Sequence, residues 1–274
     1  MFNPSSLIRF VHTTNACLMT GSLFMAGISA WYLRQGLHRE FAARSLKVSL
    51  IVGFSAALLH LPIGYHHAVQ VTHTQPEKLA AFEGLFETQQ GAPLLVFGWP
   101  DPQTRTVHGA VRIPKLLSLL TSADPDATVQ GLSAFPREEW PPVRLTFLSF
   151  HLMVLLGLGF IGLTGLGLLL LWRGKLYESR WFLLLTVLAG PLPLLANELG
   201  WMAAEVGRQP WIVYRVLKTQ DAISVTVPAW QVLCSLIGFV LVYAILGALW
   251  IFLIARQVRL GPQALKPQPV EGIR

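Results

Sequence analysis

Five stretches of this 274-residue chain run for about 18 residues or more without Asp, Glu, Lys or Arg, the length at which a helix crosses a bilayer. They are Ala16 to Leu33 (beginning earlier, near Phe10), Val48 to Tyr65, Leu145 to Trp172, Trp181 to Ala204 and Ala229 to Ala255. The third is rich in Gly and Leu, as packed membrane helices are. The fourth contains Glu198 and ends against Glu205. Charged residues make up only 13% of the chain, about half of the ~25% usual for soluble domains, so no water-soluble surface is easily built from it. A soluble enzyme, a disordered chain and a nucleic-acid binder are all disfavoured. The expected fold is all-α and integral to the membrane, with five transmembrane helices and a long outer (periplasmic-side) loop. Its segments are residues 1–65 (two helices), 66–143 (the loop), 144–260 (three helices) and 261–274 (a tail).

Orientation follows from Lys and Arg. The loop after the first span carries Arg34, Arg39, Arg44 and Lys47; the loop after the third carries Arg173, Lys175 and Arg180; the tail carries Arg256, Arg259, Lys266 and Arg274. These three segments hold 11 basic and 3 acidic residues, whereas His66 to Val143 holds 5 basic and 8 acidic. The formal net charge of +7 therefore reads as positive-inside loops, with the tail cytoplasmic and disordered, and the N-terminus and long loop outside. Only Arg9 precedes the first apolar run, which disfavours a cleaved signal peptide. Prolines divide the loop into short elements, with an amphipathic stretch from Glu77 to Phe86. Cys17 and Cys234 read as small buried hydrophobes. His66, His67 and His73 read as solvated loop, with a metal as the minor option.

Ionisable side chains inside a span are costly and mark function by default. His12, His151, Glu198 and Glu205 stand out, with His60 a weaker candidate for packing and Met153 a soft ligand. His12 lies about 33 Å along a helix from Arg34, Met153 about 30 Å from Arg173, and Glu205 about 37 Å from Arg180, so all three reach the outer boundary layer. A His and a Met at matched depth on two helices are suited to clamp a haem iron from both faces, although each alone reads as ordinary packing. His151 and Met153 are two apart and point to different faces. Glu198, Trp201 and Glu205 form one helix face, followed by Gly207-Arg208-Gln209-Pro210-Trp211. Glu205 with Arg208 reads as an ion pair, an iron ligand or a propionate-binding pair.

These residues resemble the C-terminal portion of subunit I of the cytochrome bd quinol oxidases, helices five to nine. The resemblance rests on four blocks. They are Arg9-Phe10-Val11-His12-Thr13 with Gly27 to Leu33, Lys78-Leu79-Ala80-Ala81-Phe82-Glu83 with Glu87-Thr88-Gln89, Gly200 to Trp211, and Arg259-Leu260-Gly261-Pro262. It implies that His12 and Met153 are axial ligands of a low-spin haem b, and that Glu205 ligates a high-spin haem. It implies that Trp201 lies between haems, that Arg208 lies near them, and that Lys78 and Glu83 serve quinol oxidation. Glu198 is a candidate proton path. His151 stands near the haem where the family usually has Arg, a departure that replaces a permanent cation with a titratable group.

The resemblance implies a subunit of about nine helices, so four that help form the oxygen site are expected to lie outside this chain. The implied partners are a separate chain carrying those helices, a subunit II-like membrane protein, quinol, O2 and the lipid bilayer, with no nucleic acid. High-spin haems b and/or d would be shared with the partner chain. The implied setting is a bacterial inner (cytoplasmic) membrane. The rival reading is a quinone–haem relay that has lost the oxygen site; a haem-free structural remnant is disfavoured by the presence of His12, Met153, Glu205 and Arg208.

Overall fold

The computed structural model describes residue 3, residues 5–224 and residues 226–262. The expected disorder of the tail and the charges of Lys266, Glu271 and Arg274 lie outside these. Helices dominate. They are α1 (Ser6–Gln35), α2 (Arg39–Thr74), α3 (Pro76–Phe82), α4 (Leu116–Ser122), α5 (Val143–Trp172), α6 (Arg180–Ala189), α7 (Leu192–Val206) and α8 (Ala229–Leu260). Five segments are long and apolar enough to cross a membrane, α6 and α7 together forming one of them. That span is interrupted at Gly190-Pro191, where proline cannot supply the next backbone donor.

The core lies between α1, α2, α5 and α6, where Leu23, Ala30, Leu46, Leu50, Phe160 and Phe182 are buried together. Two buried threonines there are satisfied within their own turn, as a bilayer interior demands. Thr164 donates to the Phe160 carbonyl at 2.6 Å and Thr186 to that of Phe182 at 2.8 Å. Small residues set one close crossing. A Cβ on Gly27 of α1 would stand 3.1 Å from the Cα of Gly190, so the two backbones meet where the fourth span breaks. By contrast, α8 has no buried residue. It is held by the Tyr32 hydroxyl, which donates to the Val258 carbonyl at 2.6 Å, and by Phe24 against Trp250.

Three two-stranded antiparallel sheets complete the described residues: β1 (Gln89–Gln90) with β4 (Thr128–Val129), β2 (Leu94–Asp101) with β3 (Thr106–Ile113), and β5 (Trp211–Val213) with β6 (Leu217–Lys218). The β2–β3 hairpin turns at Asp101, whose carboxylate accepts from the Gln103 amide and the Thr104 hydroxyl. A second apolar cluster seats the loop on the helices: Leu79, Phe82, Leu85, Leu117 and Val129 are buried with Ala203 of α7.

Two expectations are corrected. The second helix continues to Thr74, so His66, His67 and His73 are helical, and His67 is half-buried. Its helical hydrogen bonding simply outlasts its apolar run. Cys17 and Cys234 are both exposed, on helix faces that the other described residues leave uncovered.

Candidate functional site

The amphipathic stretch at the start of the loop folds into α3, which opens with Pro76 at its first turn, a position where the missing N–H costs nothing. Both sides of α3 are covered, so Glu77, Lys78 and Glu83 are buried. Phe82 stacks on Phe150 of α5 with ring centroids 4.5 Å apart, and Lys78 stands over the Phe82 ring. The Lys78 ammonium donates to the Ala204 carbonyl at 2.9 Å. Burial, with Arg9 and Arg208 nearby, pushes its pKa down to about 8, and the Glu205 carboxylate opposes that shift. Burial alone pushes the Glu83 carboxyl up to about 8, and its Oε2 has no hydrogen-bond partner among the described residues.

Beside Lys78, at the end of α7, Arg208 pairs with Glu205 at 2.7 Å across one turn. Gly207 separates them from the loop. A Cβ there would collide with the Ala203 carbonyl and stand 3.2 Å from Lys78 Cε, so only glycine permits the approach. A cavity of about 340 Å³ opens here, lined by Arg9, Gln75, Lys78, Arg208, Trp211 and Tyr214. Arg208 Nε and Trp211 Nε1 are buried without partners among the described residues. The Tyr214 hydroxyl donates to Glu77 at 2.9 Å, and burial followed by this carboxylate pushes its pKa up to about 12.

The intramembrane candidates divide among helices. His12 of α1 faces α2: its ring centroid lies 4.2 Å from that of His60 and 5.2 Å from that of His67. Met153 of α5 faces α7, where a Cβ on Gly200 would stand 3.0 Å from its Sδ. The structure thus sets His12 and Met153 against different neighbours. His151 does point elsewhere than Met153. Its ring stacks on Phe147, with Nδ1 3.0 Å from the Phe147 carbonyl and Nε2 2.8 Å from that of Leu95 in β2. It joins the hairpin to α5. Trp201, Glu198 and Glu205 share one exposed face of α7, whereas Pro193, Ala196 and Ala203 are its buried residues.

The donor chemistry suits the group implied by the resemblance. His12 offers an imidazole whose buried Nδ1 has no partner among the described residues, and Met153 offers a thioether. Glu205 offers a carboxylate on an uncovered face. Asn15 and Tyr214 escaped sequence reasoning, which read His67 as solvated loop and Trp211 only as part of a motif. A helical stripe of His60 and His67, seven residues apart, was the one signal available for any of them.

The sequence profile of the family described as cytochrome bd terminal oxidase subunit I matches residues 1–262. A cytochrome bd ubiquinol oxidase subunit 1 of Bacillus subtilis (strain 168) is 34% identical over 271 residues, covering 95% of this chain and 58% of the relative. A cytochrome bd-II ubiquinol oxidase subunit 1 of Escherichia coli (strain K12) is 30% identical, covering 98% of this chain and 65% of the relative. The solved bd oxidase of Geobacillus thermodenitrificans superposes with a TM-score of 0.85 at 32% identity, over 95% of this chain and 60% of that one. The chain therefore spans about three fifths of the length of these relatives.

Proposed function

The chain belongs to the cytochrome bd terminal oxidase subunit I family, and from that premise we propose that it is the quinol-oxidising, haem-binding part of a bd-type oxidase. The observation that carries the reading is the buried Lys78, held on the backbone immediately before Glu205. It ties a loop bearing an acid–base pair to the helix bearing the carboxylate. In this reading quinol docks on the outer loop, where Lys78 orients an oxygen of the head group. Glu83, when ionised, takes the quinol proton and releases it outward. Burial serves that role, because a carboxyl with a pKa near 8 both accepts and returns a proton near neutrality.

His12 and Met153 are the residues proposed to hold a low-spin haem b, which would supply one-electron transfer when bound. Glu205 is the proposed ligand of a high-spin haem, b and/or d, with Arg208 paired to the carboxylate and aiming it. Trp201, one turn before Glu205, lines the electron path, and Glu198 lies on the same face as a candidate for protons. Among the described residues nothing covers that face, which fits completion by further helices; the reading assigns those helices to a separate chain, alongside a subunit II-like protein. The proposed setting is a bacterial inner membrane, with the long loop outside.

The test is oxygen uptake driven by quinol, using the complex purified through this chain. Oxygen consumption that stops when carbon monoxide is added supports the oxidase. Quinol oxidation with an added acceptor but no oxygen uptake contradicts it and leaves the quinone–haem relay.

A further inference from the structure

Buried Asn15 and half-buried His60 form a polar pair that this reading leaves unused. Asn15 is buried, and its Nδ2 lies 2.8 Å from the Ala56 carbonyl oxygen and 2.7 Å from His60 Nδ1. Only the NH2 end of the amide can face a carbonyl, so the contact with Ala56 fixes the amide's orientation. His60 Nδ1 must then accept. A neutral imidazole that accepts at Nδ1 carries its proton on Nε2. That Nε2 lies 3.3 Å from Nε2 of His12 and donates to it. His12 therefore keeps its own proton on Nδ1, the buried nitrogen without a partner. His67 packs edge-on to His12, but no group of three or more His, Cys, Asp or Glu among the described residues is arranged to hold a metal ion. The three rings do not make a metal site of their own.

We propose that His60, aimed by Asn15, is a positioning residue for His12: it holds His12 in the tautomer whose Nε2 lone pair can ligate iron, and it occupies that lone pair until iron takes it. The proposal rests on the reading of His12 as a haem ligand. A neutral imidazole has one ring lone pair. His12 therefore makes a one-for-one exchange: its hydrogen bond from His60 breaks, its bond to iron forms, and no proton leaves the ring. No proton is released because a neutral imidazole already carries the lone pair that a metal takes.

The test titrates hemin into the whole complex prepared from cells starved of haem precursors, following the low-spin Soret band. His60→Leu removes the competing donor, and His60→Gln keeps an N–H near the same position. His60→Leu is expected to bind hemin about fivefold more tightly than the unaltered chain, the worth of one neutral hydrogen bond. His60→Gln is expected to stay within about twofold of it. Asn15→Leu leaves both histidines in place, frees the proton of His60, and moves binding in the same direction as His60→Leu. Equal or weaker binding by both His60→Leu and Asn15→Leu overturns the proposal, as does His60→Gln tracking His60→Leu. His12→Ala is expected to lose the low-spin band; if it keeps the band, the ligand assignment itself falls.

Discussion

The Lys78 ammonium donates a 2.9 Å hydrogen bond to the carbonyl oxygen of Ala204, the residue immediately before Glu205. One contact thus fastens the outer loop to the end of α7. Lys78→Met keeps the apolar stem and removes the donor. A hydrogen bond from a charged group is worth about 1.5–3 kcal/mol, so quinol oxidation is expected to fall by about tenfold or more. Haem content should stay unchanged. Steady-state rates beside a haem assay check this, and a parallel loss of haem would make Lys78 structural instead.

Glu83 predicts a pH dependence. Folded, it holds its proton up to about pH 8; unfolded, it releases it near 4.5. Between those values the folded chain binds more protons, so this group lowers stability as pH rises through that window, and its effect levels off above it. Glu83→Gln removes the slope. Thermal unfolding of both proteins between about pH 5 and about pH 9 reads the difference directly. Quinol oxidation should rise towards pH 8 in the unaltered protein and stay low and flat in Glu83→Gln.

Arg208 and Glu205 are both substantially exposed, with side-chain accessibilities of 40% and 48%, so their pairing adds little to folding. Arg208→Gln should leave the melting temperature of the complex nearly unchanged. The same substitution is expected to weaken the high-spin haem signal by several-fold, because Glu205 loses its partner. A large fall in melting temperature with the haem signal retained would reverse these roles.

At the crossing of α1 with the broken fourth span, Gly27→Leu has nowhere to put its side chain. Overpacking of a tight interior costs about 1–3 kcal/mol. The yield and thermal stability of the complex should drop, whereas Gly21→Leu, where the added Cβ meets nothing within 4 Å, should be tolerated.

The five spans were legible because a bilayer forbids charge over a fixed length. Their ends were not, since α2 runs on through His66 and His67 to Thr74 on helical hydrogen bonds that no hydropathy break records. The Gly200 to Trp211 block was legible as a motif, and the structure joins Glu205 to Arg208 as its spacing allows. The burial of Lys78 and Glu83 was not, because a charge on a short loop helix looks solvated until α5 and α7 close over it. Nor was the Asn15–His60–His12 chain, in which His60 stands 45 and 48 residues from its two partners and meets them only when α1 crosses α2.

The central claim is that His12 and Met153 hold a haem in this chain. Reduced-minus-oxidised difference spectra of the purified complex test it most directly, taken for the unaltered protein, His12→Ala and Met153→Ala. The account predicts a low-spin b-type signal in the first and its loss in both variants, with the complex still assembled. A low-spin signal that survives either substitution unchanged would contradict it.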